Sequence, residues 1–304
     1  MTIPKPVKSD LYDDAWLDSA WGNKANKELL EKDTLTARPR LARALELSNI
    51  KPNLIILDIA CGRGEMPILS AELGAHAIGI DYSSAALRFA KKLVSTRLEK
   101  NPTPINVDLI GSDACQLPFA DNSFDRVTML DKNEHLYPDQ LEKMLVEVHR
   151  ILKPCGYAVI HTLPNKWVYD ITFPLLNFIN KKFPKNPRSE SEKNIHINEQ
   201  NIPKLFQTIK KCGFNQHIWL EQYIPAQAKW SKGKDIYGDN RDNLYPEFTG
   251  IKGRLLELAS LTPLKLVLCN DIFGIIWKDK KPKNINTPFA FTERIIRNLS
   301  IIEN

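Results

Sequence analysis

The chain lacks a long apolar run. No stretch of its sequence reaches the ~18–20 residues that a membrane span needs, which excludes a spanning helix. Its opening residues, MTIPKPVKSDLYDDAW, hold no apolar segment of the kind a secretory signal carries, so secretion is not indicated. The five cysteines (Cys61, Cys115, Cys155, Cys212, Cys269) are odd in number, far apart and never spaced CxxC. That excludes a structural zinc ribbon and a disulfide framework, and a reducing cytoplasmic setting fits. No sign of charge dominates: 42 Lys+Arg against 36 Asp+Glu leave +6. Such a charge permits an anionic substrate but is too small and scattered to argue for nucleic acid. Internal repeats and low-complexity tracts are absent. The 43% of hydrophobic residues in 304 is enough to offset the entropy of ordering the chain, which excludes disorder. One α/β domain with inserted or appended segments is the simplest reading.

The apolar pattern alternates between short runs and helical stretches. Strands are expected at 54–60, 76–81, 105–113, 124–130, 157–163, 216–222 and 266–278, and helices at 37–48, 65–73, 83–99, 138–152 and 199–212. Lys153-Pro154-Cys155-Gly156 breaks the fourth helix. This rhythm predicts right-handed βαβ units in a doubly wound, mostly parallel seven-stranded sheet with helices on both faces. Residues 1–50 form an N-terminal helical cap, 51–222 the core with an insertion at 164–198, 223–265 a second insertion, 266–278 the last strand and 279–304 a tail. The insertions carry Trp167, Tyr169, Phe173, Tyr223, Trp230, Tyr237 and Tyr245. The first leaves from a strand's carboxyl end, where open parallel sheets bind ligands, so both are candidate lids over a pocket.

The sharpest local signal is Leu57-Asp58-Ile59-Ala60-Cys61-Gly62-Arg63-Gly64-Glu65, a strand end running into a helix. Gly62 and Gly64 let a ligand lie against the backbone, and the helix start offers free N–H groups. A dinucleotide fingerprint calls for a third glycine where Pro67 stands, which weakens a nicotinamide or flavin reading. Asp81, ending the second strand in Gly79-Ile80-Asp81-Tyr82-Ser83, has the chemistry to accept both hydroxyls of a ribose. Gly111-Ser112-Asp113-Ala114 follows the third strand and Asp131-Lys132-Asn133-Glu134-His135-Leu136 the fourth.

With these residues in place, the sequence resembles the class I S-adenosylmethionine-dependent methyltransferases. It looks most like the small-molecule branch that includes ubiquinone and menaquinone methyltransferases. LDIACGRGE, GIDYS, GSDACQLPFADNSFDRV, EHL and EVHRILKPCGYAVIHT carry the resemblance across 54–163, and the last two strands extend it to 278. Ala60 and Cys155 stand where the family usually has glycine. The resemblance implies S-adenosylmethionine as cofactor. Ala60, Gly62 and Gly64 would line its methionine part, with Asp58 at the loop and amino group. Asp81 would hold the ribose, Tyr82 would pack on the adenine, and Asp113 and Ala114 would recognise the adenine edge. Asp131 would sit near the sulfonium, and Arg38 or Arg40 would reach the carboxylate.

His135 lies where the family places groups facing the methyl, and is the expected catalytic base; the competing reading is a hydrogen-bonded residue that shapes the pocket. Asp131, Glu134, His135 and His196 also admit a divalent-metal reading, but no metal is expected. His149 and His161 are read as structural, and His76 carries no signal. Residues 169–183 and 288–302 are apolar with basic neighbours and able to touch a membrane surface; lid core or a docked terminal helix is the favoured reading. The expected reaction is in-line methyl transfer to a small or medium-sized acceptor, with oxygen the favoured atom. A nucleic-acid or protein methyltransferase, signalled by a basic face at Lys181, Lys182, Lys185 and Arg188, is the first rival. A non-catalytic S-adenosylmethionine-binding protein is the second.

Overall fold

The computed structural model describes residues 11–221, apart from 33, 36, 101, 102 and 182, and then 251, 255, 258–283 and 285. Three helices come first, α1 (Asp14–Trp21), α2 (Asn23–Glu31) and α3 (Pro39–Ser48). The core then runs β1 (Ile55–Ile59), α4 (Glu65–Glu72), β2 (His76–Asp81), α5 (Ser84–Lys100), β3 (Asn106–Gly111), β4 (Phe124–Leu130), α6 (Pro138–Ile151) and β5 (Leu152–Thr162). The insertion carries α7 (Phe173–Ile179) and α8 (Glu190–Ile195) and is followed by α9 (Ile202–Lys211), β6 (Asn215–Glu221) and β7 (Asp271–Trp277). Tyr223, Trp230, Tyr237, Tyr245 and the stretch 288–302 lie outside the described residues.

The seven strands form one sheet in the order β3-β2-β1-β4-β5-β7-β6. β1 to β5 are parallel, while β7 runs antiparallel between β5 and β6. The central strands read IILDI, FDRVTML and YAVIHT because apolar, often β-branched residues suit strands buried on both faces. One face is sealed by Leu141, Met144, Leu145 and Val148 of α6 with Ile202, Leu205 and Ile209 of α9. On the other side Ala44 and Leu47 of α3 pack on Tyr157, Val159, Trp219 and Phe273.

Two local differences from the sequence reading have simple causes. The strand expected from 157 already pairs at Leu152, because a register irregularity opposite Phe124 and Arg126 absorbs Lys153 to Gly156. Pro67 takes the place of a glycine that would allow close helix–strand packing, and the strand supplies the room instead. A Cβ on Gly79 would stand 3.0 Å from the Pro67 ring and 2.9 Å from Cys61 Sγ.

The strand order reverses between β1 and β4, and the carboxyl ends of these strands open the crevice where ligands bind in such sheets. Because β7 is antiparallel, it begins rather than ends at that edge, which delivers Asp271 there. No helix of the described residues is long and apolar enough to cross a membrane.

Candidate active site

A cavity of about 210 Å³ lies over the ends of β1, β2 and β4. Of the site residues expected from sequence, Arg38, Arg40, Asp58, Ala60, Gly62, Asp81, Tyr82, Asp131 and His135 line it. Gly64 sits just beneath as the left-handed residue that caps α4. Asp113 and Ala114 are not among the lining residues; Asp113 is exposed and accepts the Cys115 N–H, and Ala114 is packed in the core.

The β1 loop is held in a conformation that a ligand-binding turn needs. Ala60 has φ +60° and Gly62 φ +53°, and a Cβ on Gly62 would press on the Trp21 ring at 3.2 Å. Asp81 fixes this loop: its Oδ2 accepts the Gly62 N–H at 3.0 Å and its Oδ1 the Ser83 N–H at 2.8 Å. Each oxygen keeps a second lone pair for a ligand hydroxyl. Asp58, opposite Thr128 in the β1–β4 register, accepts that hydroxyl at 2.5 Å. Burial pushes the Asp58 carboxyl up to about 7; the Thr128 bond opposes the rise and Asp81 adds to it.

The N-terminal cap forms the roof, a role the sequence hinted at only through its tryptophans. Tyr12, Trp16 and Trp21 line the cavity, with Tyr12–Trp16 and Trp16–Trp21 ring centroids 4.8 and 5.1 Å apart. The Tyr12 carbonyl accepts from Ser83 Oγ at 2.6 Å. Arg63, almost wholly buried, donates to Glu65 Oε2 and Asn26 Oδ1 and stacks on Trp21, so it ties α2 to the β1 loop. Residues 164–198 do not line the cavity. Their end instead packs behind His135: the two rings of His135 and His196 lie 4.9 Å apart, and Asn198 N–H donates to the Glu134 carbonyl.

The far wall is built from ion pairs. Asp131, itself at φ +53°, takes Arg40 Nη1 at 3.1 Å on one oxygen and His161 Nδ1 at 2.5 Å on the other. The other nitrogen of His161 faces Asp271 Oδ1 at 3.0 Å. Burial works against a charged His161, but the two carboxylates outweigh it and lift the imidazole to about 9. His161 is a strand residue held as a cation in the cavity wall; its partners come from 30 and 110 residues away and no local motif announces them.

His135 meets the N-terminal cap at the cavity wall. Its Nδ1 is 3.1 Å from the Tyr12 hydroxyl. Burial, reinforced by His196 and Lys132, pushes its pKa down to about 3. The cation would be desolvated beside Lys132, which favours the neutral ring. Lys132, buried at the same wall, lies 4.8 Å over the Tyr82 ring. Arg38 lines the cavity with no ion pair within 4.0 Å among the described residues, a cation free to meet a carboxylate.

Comparison with known proteins adds the family. A methyltransferase-domain family profile matches residues 56–156. A demethylmenaquinone methyltransferase of Staphylococcus epidermidis is 32% identical over 181 residues, covering 56% of this chain and 71% of that protein. The chain belongs to the class I S-adenosylmethionine-dependent methyltransferase family. An uncharacterized methyltransferase of Synechocystis is 33% identical over 127 residues, 41% of this chain and 55% of that one. Among solved structures, a Haemonchus contortus phosphoethanolamine N-methyltransferase in complex with S-adenosyl-L-methionine superposes with a TM-score of 0.57 at 20% identity, covering 91% of this chain and 62% of that one. The [4+2]-cyclase SpnF has a TM-score of 0.56 at 15% identity, covering 92% and 99%. Those two likenesses show the fold alone. The cofactor of the family is S-adenosylmethionine, and the cavity suits it: an anion-seeking Arg38, a carboxylate with free lone pairs at Asp81, a buried carboxyl at Asp58 and a backbone turn left open by Gly62.

Proposed function

We propose that this protein transfers a methyl group from S-adenosylmethionine to a small or medium-sized acceptor, at oxygen, by in-line displacement. When bound, the cofactor supplies a methyl already activated on a sulfonium, so positioning does much of the work. Asp81 accepts the ribose hydroxyls, Tyr82 packs on the base, Asp58 takes the ammonium and Arg38 the carboxylate. Ala60, Gly62 and Gly64 let the chain approach. Asp113 and Ala114 follow β3, the strand beside β2, and are assigned the adenine edge. Asp131, fixed between Arg40 and His161, presents negative charge where a sulfonium is expected. His135 keeps its place facing the acceptor, as a neutral ring that holds Tyr12 at the cavity wall.

The observation that carries this reading is the convergence of Asp58, Asp81, Asp131 and Arg38 on one cavity. Its roof of Tyr12, Trp16 and Trp21 favours a small acceptor over a polymer. The basic face that would favour nucleic acid is weakened, because Arg188 is consumed by Glu199, Asp170 and the Tyr169 ring. All five cysteines are free, in keeping with a cytoplasmic location. The test is methyl-labelled S-adenosylmethionine offered with hydroxylated small molecules, RNA, DNA and protein. Label in a hydroxylated small molecule supports the proposal. Label confined to polymers, or cofactor binding without transfer to any class, contradicts it.

A further inference from the structure

At the cavity wall and just behind it, three side chains that the methyl-transfer reading does not use as cofactor ligands converge. One ligand atom each from Glu134, His135 and His196 lies within 4.8 Å of the others. We propose that these three residues bind a first-row divalent transition-metal ion. Two imidazoles and one carboxylate form a donor set that suits zinc, iron(II) or cobalt(II) better than magnesium, which prefers oxygen alone. The inference goes beyond the methyl-transfer proposal and does not depend on it.

The groups around the three residues are arranged as outer partners of a metal site. Tyr12 Oη meets His135 Nδ1, which leaves Nε2 on the side of Glu134 Oε1, 4.0 Å away. Thr162 Oγ1 donates to Glu134 Oε2 at 2.6 Å, so the oxygen facing His135 is Oε1. Fixing one atom of His135 and of Glu134 from behind, so that the other points at the ion, is what outer-shell partners do. The separation of Nε2 and Oε1 is too long for a hydrogen bond, and the two atoms would draw together to the ~3.4 Å spacing of ligands on a tetrahedral ion. The Ile195 carbonyl accepts a hydrogen bond from the His135 ring, a bond that an ion on that ring would displace.

The charge around the site is mixed. Lys132 opposes a cation, while the Glu134 carboxylate, with Asp131 beyond it, attracts one. Two imidazoles and one carboxylate bind an ion in their deprotonated forms, so its binding is expected to strengthen as pH rises. The bound ion would tie His196, at the end of α8, to the turn Asn133–His135 after β4, reinforcing the link from Asn198 N–H to the Glu134 carbonyl. It would also set His135 with its Nδ1 proton toward Tyr12.

The experiment is cobalt(II) titration of the metal-free full chain, read by the visible absorption of the ion. Wild type should show bands saturating at one cobalt per chain, displaced by zinc. Thr162→Val should weaken binding about 10–100-fold, and Glu134→Gln and His196→Gln should abolish the bands. His196→Gln is the decisive variant should Glu134→Gln fail to fold, since His196 is less buried than Glu134. Failure of folded wild type to give the bands, or unchanged tight binding in His196→Gln, overturns the proposal. S-adenosylhomocysteine titration of the same samples reads the cofactor cavity separately.

Discussion

The two halves of the cavity are built on different principles. At the ends of β1 and β2 the wall is mostly backbone: a turn with Ala60 and Gly62 at positive φ, locked by Asp81 through two N–H bonds. At the ends of β4, β5 and β7 the wall is charge: Arg40, Asp131, His161 and Asp271 in one chain of ion pairs. A backbone wall is insensitive to most side-chain changes but intolerant at its few fixed points. A wall of paired charges shares its load, so the loss of one member leaves its partners uncompensated.

The largest effect should come from the charged half. His161→Ala leaves Asp131 and Asp271 without their common cation, and stability in urea denaturation should fall by about 3–5 kcal/mol at pH 7. The sign of the pH dependence follows from the raised folded-state value of about 9. The stabilisation is fully present below the unfolded value near ~6.5 and is lost as pH rises through about 9. Wild type should thus lose stability from about pH 7 to 9, and His161→Ala should lack that loss. Equal slopes in the two proteins would dissolve the distinction between the halves.

Second in size is the pH dependence of cofactor binding. Asp58, raised to about 7, must be ionised to hold an ammonium. Affinity for S-adenosylhomocysteine should therefore rise as pH approaches 7 and level off above it, by up to about tenfold per pH unit on the acid side. In Asp58→Asn that slope should vanish. Catalytic rate should not show the fall below ~6.5 that a free imidazole imposes, because His135 stays neutral to about 3. A fall near 6.5 that disappears in His135→Gln would restore the histidine base.

The smallest change belongs to the backbone half. Ala60 at φ +60° carries left-handed strain of roughly 1–2 kcal/mol, partly offset by the entropy glycine would add to the unfolded chain. Ala60→Gly should raise stability by less than about 1 kcal/mol and leave cofactor affinity within a factor of a few. A large loss of stability would mean that the Ala60 methyl makes packing contacts that outweigh its strain.

The same contrast explains what the sequence made legible. Asp58, Gly62 and Asp81 sit in contiguous motifs at strand ends, because strand, turn and helix follow one another locally, and the strand rhythm gave the parallel core. His161 read as an ordinary strand residue, since Leu130 lies opposite it across the sheet and Asp271 arrives on an antiparallel strand 110 residues later. Tyr12 lies 123 residues from His135, and nothing within either segment marks the pairing. Of the two segments expected as lids, residues 164–198 do not line the cavity and most of 223–265 lies outside the described residues; the helical cap brings Trp16 and Trp21 over the Gly62 turn.

The central claim is that the cavity at the ends of β1 and β2 holds the cofactor through Asp81. Calorimetric titration of wild type and Asp81→Ala with S-adenosylhomocysteine tests it most directly. The variant loses charge-assisted bonds worth roughly 1.5–3 kcal/mol each, so its affinity should fall at least about tenfold while circular dichroism shows it folded. A folded Asp81→Ala that binds as tightly as wild type would contradict the account.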